Sequence, residues 1–137
     1  MLLRKAHAHV RSQRADFHHK VSRRLVYNYG LIAVEDLNVK GLAAGMLARS
    51  VRDGGWGMFL EKVAYKAAEA GRQFLRVNPS GTSQTCTCGA HAPKDLGRRR
   101  HECSECGLSL PRDHVSARLI LNRALGLSAP ASSRALA

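Results

Sequence analysis

The sequence predicts an α/β fold in the order helix, strand, helix, strand, followed by a cysteine-rich insert and a last helix. Three observations carry that expectation. Apolar side chains recur at helical spacing in two long segments, two short apolar runs interrupt them, and four cysteines fall in two close pairs between Cys86 and Cys106.

The first helix is expected over residues 2–29. Leu3, Ala6, Val10, Phe17, Val21 and Leu25 stand three, four and seven apart, which places them on one stripe, while Arg4, Arg11, Arg14, Arg23 and Arg24 take the rest. That basic face is either solvated or laid on phosphates. Gly30 ends the helix, and Leu31-Ile32-Ala33-Val34 reads as a short buried strand with Glu35 at its carboxyl end. Five glycines between Asn38 and Gly57 predict a loop, with one turn of helix around residues 43–49. Phe59, Leu60, Val63, Ala64, Ala67 and Ala68 then define a second helix that Gly71 stops, and Phe74-Leu75-Arg76-Val77 a second strand closed by Asn78-Pro79-Ser80-Gly81.

Two short apolar strands joined by a helix imply a parallel crossover. Parallel sheets need more than two strands for stability, so part of the sheet is expected to lie outside this chain. The expected division is 1–81 for this partial α/β domain, 82–110 for a compact cysteine-rich insert, 111–125 for the last helix, carried by Leu119, Ile120 and Ala124, and 126–137 for a loose tail.

Charge narrows the function. The 137 residues hold 22 Lys and Arg against 10 Asp and Glu, a formal charge of +12, which a polyanionic partner explains most simply. The basic residues are spread along the chain rather than gathered at one end, which favours nucleic acid over a membrane surface. No apolar run reaches the roughly 18 residues of a membrane span, and Met1-Leu2-Leu3-Arg4-Lys5 leads into no apolar signal core, so a cytoplasmic protein with no membrane partner is expected. Four cysteines in such a chain point to a metal rather than to disulfides.

Cys86-Thr87-Cys88-Gly89 and Cys103-Ser104-Glu105-Cys106-Gly107 approach the pattern of a four-thiolate zinc ribbon, since tetrahedral zinc takes two close pairs of ligands from two chain segments. The first pair has one intervening residue instead of two, a spacing from which the usual tight knuckle is not expected to form. His91 and His101 lie within the insert as alternative ligands or bystanders, and Arg98-Arg99-Arg100 is either a phosphate contact or a solvated hairpin tip. Such an insert is too small to fold on apolar burial and would depend on its metal.

Two carboxylates stand out by position. Glu35 closes the first strand and Asp113 opens the last helix in Pro111-Arg112-Asp113-His114; acids so placed can converge on hard divalent cations, although each has an ordinary reading as a solvated strand end or an N-cap.

These residues carry a resemblance. Ile32-Ala33-Val34-Glu35-Asp36-Leu37-Asn38-Val39-Lys40-Gly41-Leu42 resembles the second RuvC-type motif of the OrfB/TnpB transposase family of bacterial insertion sequences. The tract from Val77-Asn78-Pro79-Ser80-Gly81 through the cysteine pairs to Arg112-Asp113-His114 resembles that family's zinc ribbon and third RuvC-type motif, in the same order. The resemblance runs from about residue 5 to about residue 125. It implies an RNase H-like (RuvC-type) fold that lacks its first strands and carries a zinc-ribbon insertion. It also implies kinship to the type V CRISPR effectors, with DNA as substrate and guide RNA as a further candidate partner.

Glu35 and Asp113 match two of the family's three Mg²⁺-binding catalytic carboxylates, and Cys86, Cys88, Cys103 and Cys106 match its zinc ligands. The third carboxylate, an Asp on the first strand, has no counterpart here; Asp16, Asp53 and Asp95 stand in a helix, a glycine loop and the insert. Val115 and Leu119 occupy positions where the family commonly has Asn, and the family's amino-terminal recognition portion is absent. The expected reading is a carboxyl-terminal fragment or degenerate copy of a bacterial transposase, inactive as this chain, with structural zinc and with Mg²⁺ only in the complete domain. A non-catalytic zinc-ribbon nucleic-acid-binding module and a ribosomal-type zinc-ribbon protein are the alternatives.

Overall fold

The computed structural model describes residues 2–38, 55–92 and 99–127. These form a mixed α/β chain of α1 (Leu2–Asn28), β1 (Leu31–Glu35), α2 (Trp56–Glu69), β2 (Gln73–Val77), β3 (Arg100–Glu102), β4 (Ser109–Pro111) and α3 (Arg112–Ala124). The helix, strand, helix, strand order and the last helix anticipated from periodicity are observed, and the short strands β3 and β4 add to them within and after the cysteine-rich segment. The glycine loop and helical turn expected at 38–57 fall mostly on residues 39–54, and the tail on 128–137, outside the described residues. No helix among the described residues is long and apolar enough to cross a membrane.

The chain divides into two compact units, Met1–Ile32 with Asn38–Phe74 and Ala33–Leu37 with Leu75–Ala137. In the first, α1 packs on α2 around buried Val26, Val63 and Ala67, with Leu25, Ile32, Phe59 and Phe74 closing over them. The carboxyl end of α2 is finished by a Schellman pair of bonds, from the Gly71 N–H to the Ala68 carbonyl and from the Arg72 N–H to the Ala67 carbonyl. That closure sends the chain straight into β2.

The buried stripe of α1 is not the apolar one. Leu3 and Phe17 are 72% and 62% exposed, whereas His18, Ser22 and Val26 are buried. The amino-terminal half of the helix, residues 2–13, is exposed all round, because α2 covers only the later turns. Where the helices meet, Ser22 is small enough for Lys66 to reach in and donate to both the Ser22 Oγ and the His19 carbonyl, each at 2.8 Å. The His18 ring leans on Phe59 with centroids 5.4 Å apart. Periodicity reports that an apolar stripe exists; the partner helix decides which stripe is covered.

Entry into α2 is tight. Gly55 sits at φ +60°, and a Cβ there would stand 3.0 Å from His18 Cε1 and 3.0 Å from Met58 Cε. Gly55→Ala should therefore lower stability by about 1–2 kcal/mol in denaturant titration, the usual cost of the left-handed conformation for a residue with a Cβ.

β1 and β2 form a two-stranded sheet. They run parallel, as the crossover requires: the Gln73 N–H donates to the Gly30 carbonyl near one end and the Asp36 N–H to the Val77 carbonyl near the other. The five residues of β1 are each half-buried, not enclosed as its apolar run predicts, because no third strand flanks it among the described residues.

In the second unit Val115, Leu119 and Ile120 bury one face of α3. Val115 and Leu119, where the resemblance implies Asn, are thus apolar core positions here. The Asn78–Gly81 turn forms as its composition predicts, with the Asn78 Oδ1 accepting from the Ser80 N–H at 2.9 Å. Arg123 of α3 donates to the Asn78 carbonyl at 2.6 Å, tying the helix to that turn. β3 and β4 pair antiparallel, with His101 opposite Leu110, and β4 runs directly into α3.

Candidate metal centre and catalytic carboxylates

Two turns bring the cysteines together. At the second pair the Gly107 N–H donates to the Cys103 carbonyl and the Cys103 N–H to the Leu108 carbonyl. At the first pair the chain returns one residue sooner: the Gly89 N–H donates to the Cys86 carbonyl at 2.9 Å, and the Cys86 N–H to the Ala90 carbonyl at 2.9 Å. Gly89, at φ +89°, takes a conformation that a side chain would resist, and this lets the shortened pair turn. The usual knuckle is thus absent at the first pair, where an i+3 turn takes the place of the i+4 turn of the other pair.

The four Sγ atoms all lie within 4.8 Å of one another. Cys86 and Cys106 are 3.7 Å apart, as are Cys88 and Cys103. A tetrahedron with metal–sulfur bonds of about 2.3 Å has edges of about 3.8 Å, so the donor set fits one tetrahedral ion. The same separations are far beyond the roughly 2.05 Å of a disulfide. Cys86 and Cys103 are buried, Cys88 is half-buried and Cys106 is exposed.

The thiols are electrostatically unequal. Backbone N–H groups of Cys106 and Glu105 aimed at the Cys103 sulfur bring it down to about 7. At Cys106 the Leu108 N–H also pulls down, but the crowding of Cys88, Cys103 and Cys86, together with burial, outweighs it and pushes this thiol up to about 12. Four thiolates cannot share this space without a cation among them.

Neither histidine joins the cluster. His101 is buried in β3 and His91 is exposed in a bridge to Thr85. Of the arginine run, Arg98 lies outside the described residues, while Arg100 donates to the Ser109 hydroxyl across the β3–β4 pair at 3.0 Å.

Glu35 is the last residue of β1 and half-exposed; Asp113 lies in the first turn of α3 and is exposed. Both belong to the second unit. Asp36 beside Glu35 faces Arg76 of β2 at 3.8 Å. Among the described residues, the cysteines form the one cluster of three or more His, Cys, Asp or Glu side chains close enough to hold an ion, and neither Glu35 nor Asp113 belongs to such a cluster. Sequence reading missed the Lys66–Ser22 contact and the Arg123 tether, because nothing in periodicity reveals which polar side chain meets which backbone carbonyl.

Residues 56–120 match the family "Cas12f1-like, TNB domain" and residues 1–45 the family described as "Probable transposase". The chain is 38% identical over 131 residues to a protein of Streptomyces pristinaespiralis described as "Putative RNA-guided DNA endonuclease", covering 91% of this chain and 32% of that protein. It is 31% identical to InsQ of Escherichia coli (strain K12), which bears the same description, over 87% of this chain and 34% of InsQ. The chain thus spans about a third of the length of these relatives.

A Cas12f1 chain solved in complex with sgRNA and target DNA superimposes with a TM-score of 0.63 at 19% identity, over 88% of this chain and 36% of that one, and so shares its fold. Both family matches and the curated relatives agree, along most of this chain's length, with its resemblance to the OrfB/TnpB-type transposase family.

Proposed function

We propose that this chain is a portion of an RNA-guided DNA endonuclease of an insertion sequence, in which Glu35 and Asp113 are two of the carboxylates that hold catalytic Mg²⁺ and the four cysteines hold a structural zinc. The fold is read as an RNase H-like domain divided into 1–81 and 111–125 by a zinc ribbon at 82–110. What carries this reading is the placement of the two acids. One ends a parallel strand and the other lies in the first turn of the helix that leaves the cysteine cluster, the two places where the resemblance puts metal-binding carboxylates, whose oxygens suit hard cations. The half-covered two-stranded sheet supports it too, since such a sheet is stable only as part of a larger one.

When bound, paired Mg²⁺ ions activate water and stabilise the leaving oxygen of a phosphodiester. The chain's own contribution is positional. β1 and α3 fix the two carboxylates, the Arg123 bond to the Asn78 carbonyl fixes α3 against the turn after β2, and the +12 charge draws the polyanion. Two acids hold two ions weakly, so the set needs the third carboxylate that the resemblance implies.

The purified chain is expected to show no Mg²⁺-dependent cleavage of single- or double-stranded DNA by itself. Supplied in trans with a segment of a relative bearing a first-strand Asp, it should regain cleavage, and Glu35→Ala or Asp113→Ala should abolish it, a loss of at least about 100-fold for one metal-binding carboxylate. Cleavage that survives both substitutions would refute the assignment.

A further inference from the structure

We propose that the open groove between α1 and α2 in the first unit seats a single-stranded nucleic-acid segment, with Arg23, Lys66 and Arg72 at its phosphates and Tyr27 and Tyr65 under its bases. The proposal rests on the nucleic-acid reading above, though not on cleavage. The groove has a volume of about 940 Å³, and its lining includes these five residues, Lys20 and the acids Asp16 and Glu69.

Its charge is unbalanced. Four cations line it against two acids, and one of those acids, Asp16, is already paired with Lys20 at 2.7 Å. Lys66 is held rather than free to swing, since its ammonium donates to the Ser22 Oγ and the His19 carbonyl. Burial, with the charges of Arg23 and Lys62 beside it, keeps Lys66 below the ordinary lysine range. His19 is lowered too, by burial and by Lys66, Lys62 and Arg23. A site whose cations outnumber its acids and depress one another favours a further anion, and a phosphate chain supplies a row of them.

The aromatic rings decide between strands and duplexes. Tyr27 is 82% exposed and Tyr65 44% exposed, both on the groove wall, and the Lys66 ammonium stands 6.0 Å from the Tyr65 ring centre. Bases inside a duplex already stack on one another and cannot reach such rings, whereas those of a single strand can. Cations interleaved with exposed aromatics are how proteins hold single strands without reading sequence.

The test is fluorescence anisotropy of a labelled oligouridine with the full-length, zinc-loaded chain across a salt series. Tyr27→Ala and Tyr65→Ala should each weaken binding roughly 5- to 100-fold, the range for losing one base stack. Tyr29→Ala, an exposed tyrosine that does not line the groove, should change it less than about 2-fold. Joint Arg23→Gln and Arg72→Gln should reduce the slope of log affinity against log salt by about 1.4, or roughly 0.7 for each lost phosphate contact.

Equal losses in all three tyrosine variants, or none in any, overturn the proposal, as does a groove that binds free inorganic phosphate as well as it binds the oligomer. The assay contains no Mg²⁺ and reads binding rather than cleavage, so neither Glu35 nor Asp113 enters it. A failure of the nuclease assignment therefore stays distinguishable from a failure here.

Discussion

Removing the metal from the purified chain with a strong chelator should unfold the segment from Cys86 to Leu108. The reason is what that segment buries. Its buried residues among those described are Cys86, Cys103 and His101 at 0%, 7% and 1% exposure, so two of the three are sulfur donors and no Leu, Ile or Phe stands with them. An insert with so little apolar burial cannot offset the conformational entropy of ordering about 1–2 kcal/mol per residue, and metal ligation must provide the difference. Structural zinc of this kind contributes about 10–16 kcal/mol of binding free energy, the largest single term available to the unit.

Hydrogen exchange should show the Cys86, Gly89, Cys103 and Gly107 amides, each bonded across a turn in the structure, losing protection on chelation. Elemental analysis should give one zinc per chain and none in Cys103→Ser. Amide protection that outlasts complete metal removal would show that the turns stand unaided and that the sulfurs have another purpose.

Leu60→Ala should cost the first unit about 2–5 kcal/mol, the usual range for emptying a fully buried leucine site. Leu60 is 1% exposed on α2, one residue after Phe59 of the core and three before Val63. That core is thin. It draws on one face of α2, the last turns of α1 and single residues from β1 and β2, so a cavity in it consumes much of the few kcal/mol that a unit of this size has. Leu121→Ala, on α3 at 42% exposure, should move stability by less than about 0.5 kcal/mol and serves as the matched control. Denaturant unfolding followed by far-ultraviolet circular dichroism reads both; a Leu60→Ala chain as stable as the control would mean that α2 is held by something other than its apolar face.

Much of the architecture was legible in advance. The span of α1, the stop after α2 at Gly71, both strands of the crossover and the turn at Asn78–Gly81 follow from short-range chemistry: periodicity, helix termination and turn-forming side chains, each acting within a few residues. The two cysteine pairs were legible for the same reason. The face of α1 that is buried was not, because Val10 and Phe17 look like core residues to any local rule and are exposed where no helix among the described residues covers them. Nor was the turn at Cys86-Thr87-Cys88, where a positive φ at Gly89 supplies what the spacing lacks.

By itself the sequence determined what each segment is and which side chains can bind a metal or a phosphate, since composition and spacing act locally along the chain. Only the tertiary structure decided which of those side chains meet. Ser22 and Lys66, 44 residues apart, share a hydrogen bond, and two thiols 20 residues apart stand 3.7 Å from each other, because packing between elements depends on complementary surfaces that no single segment contains.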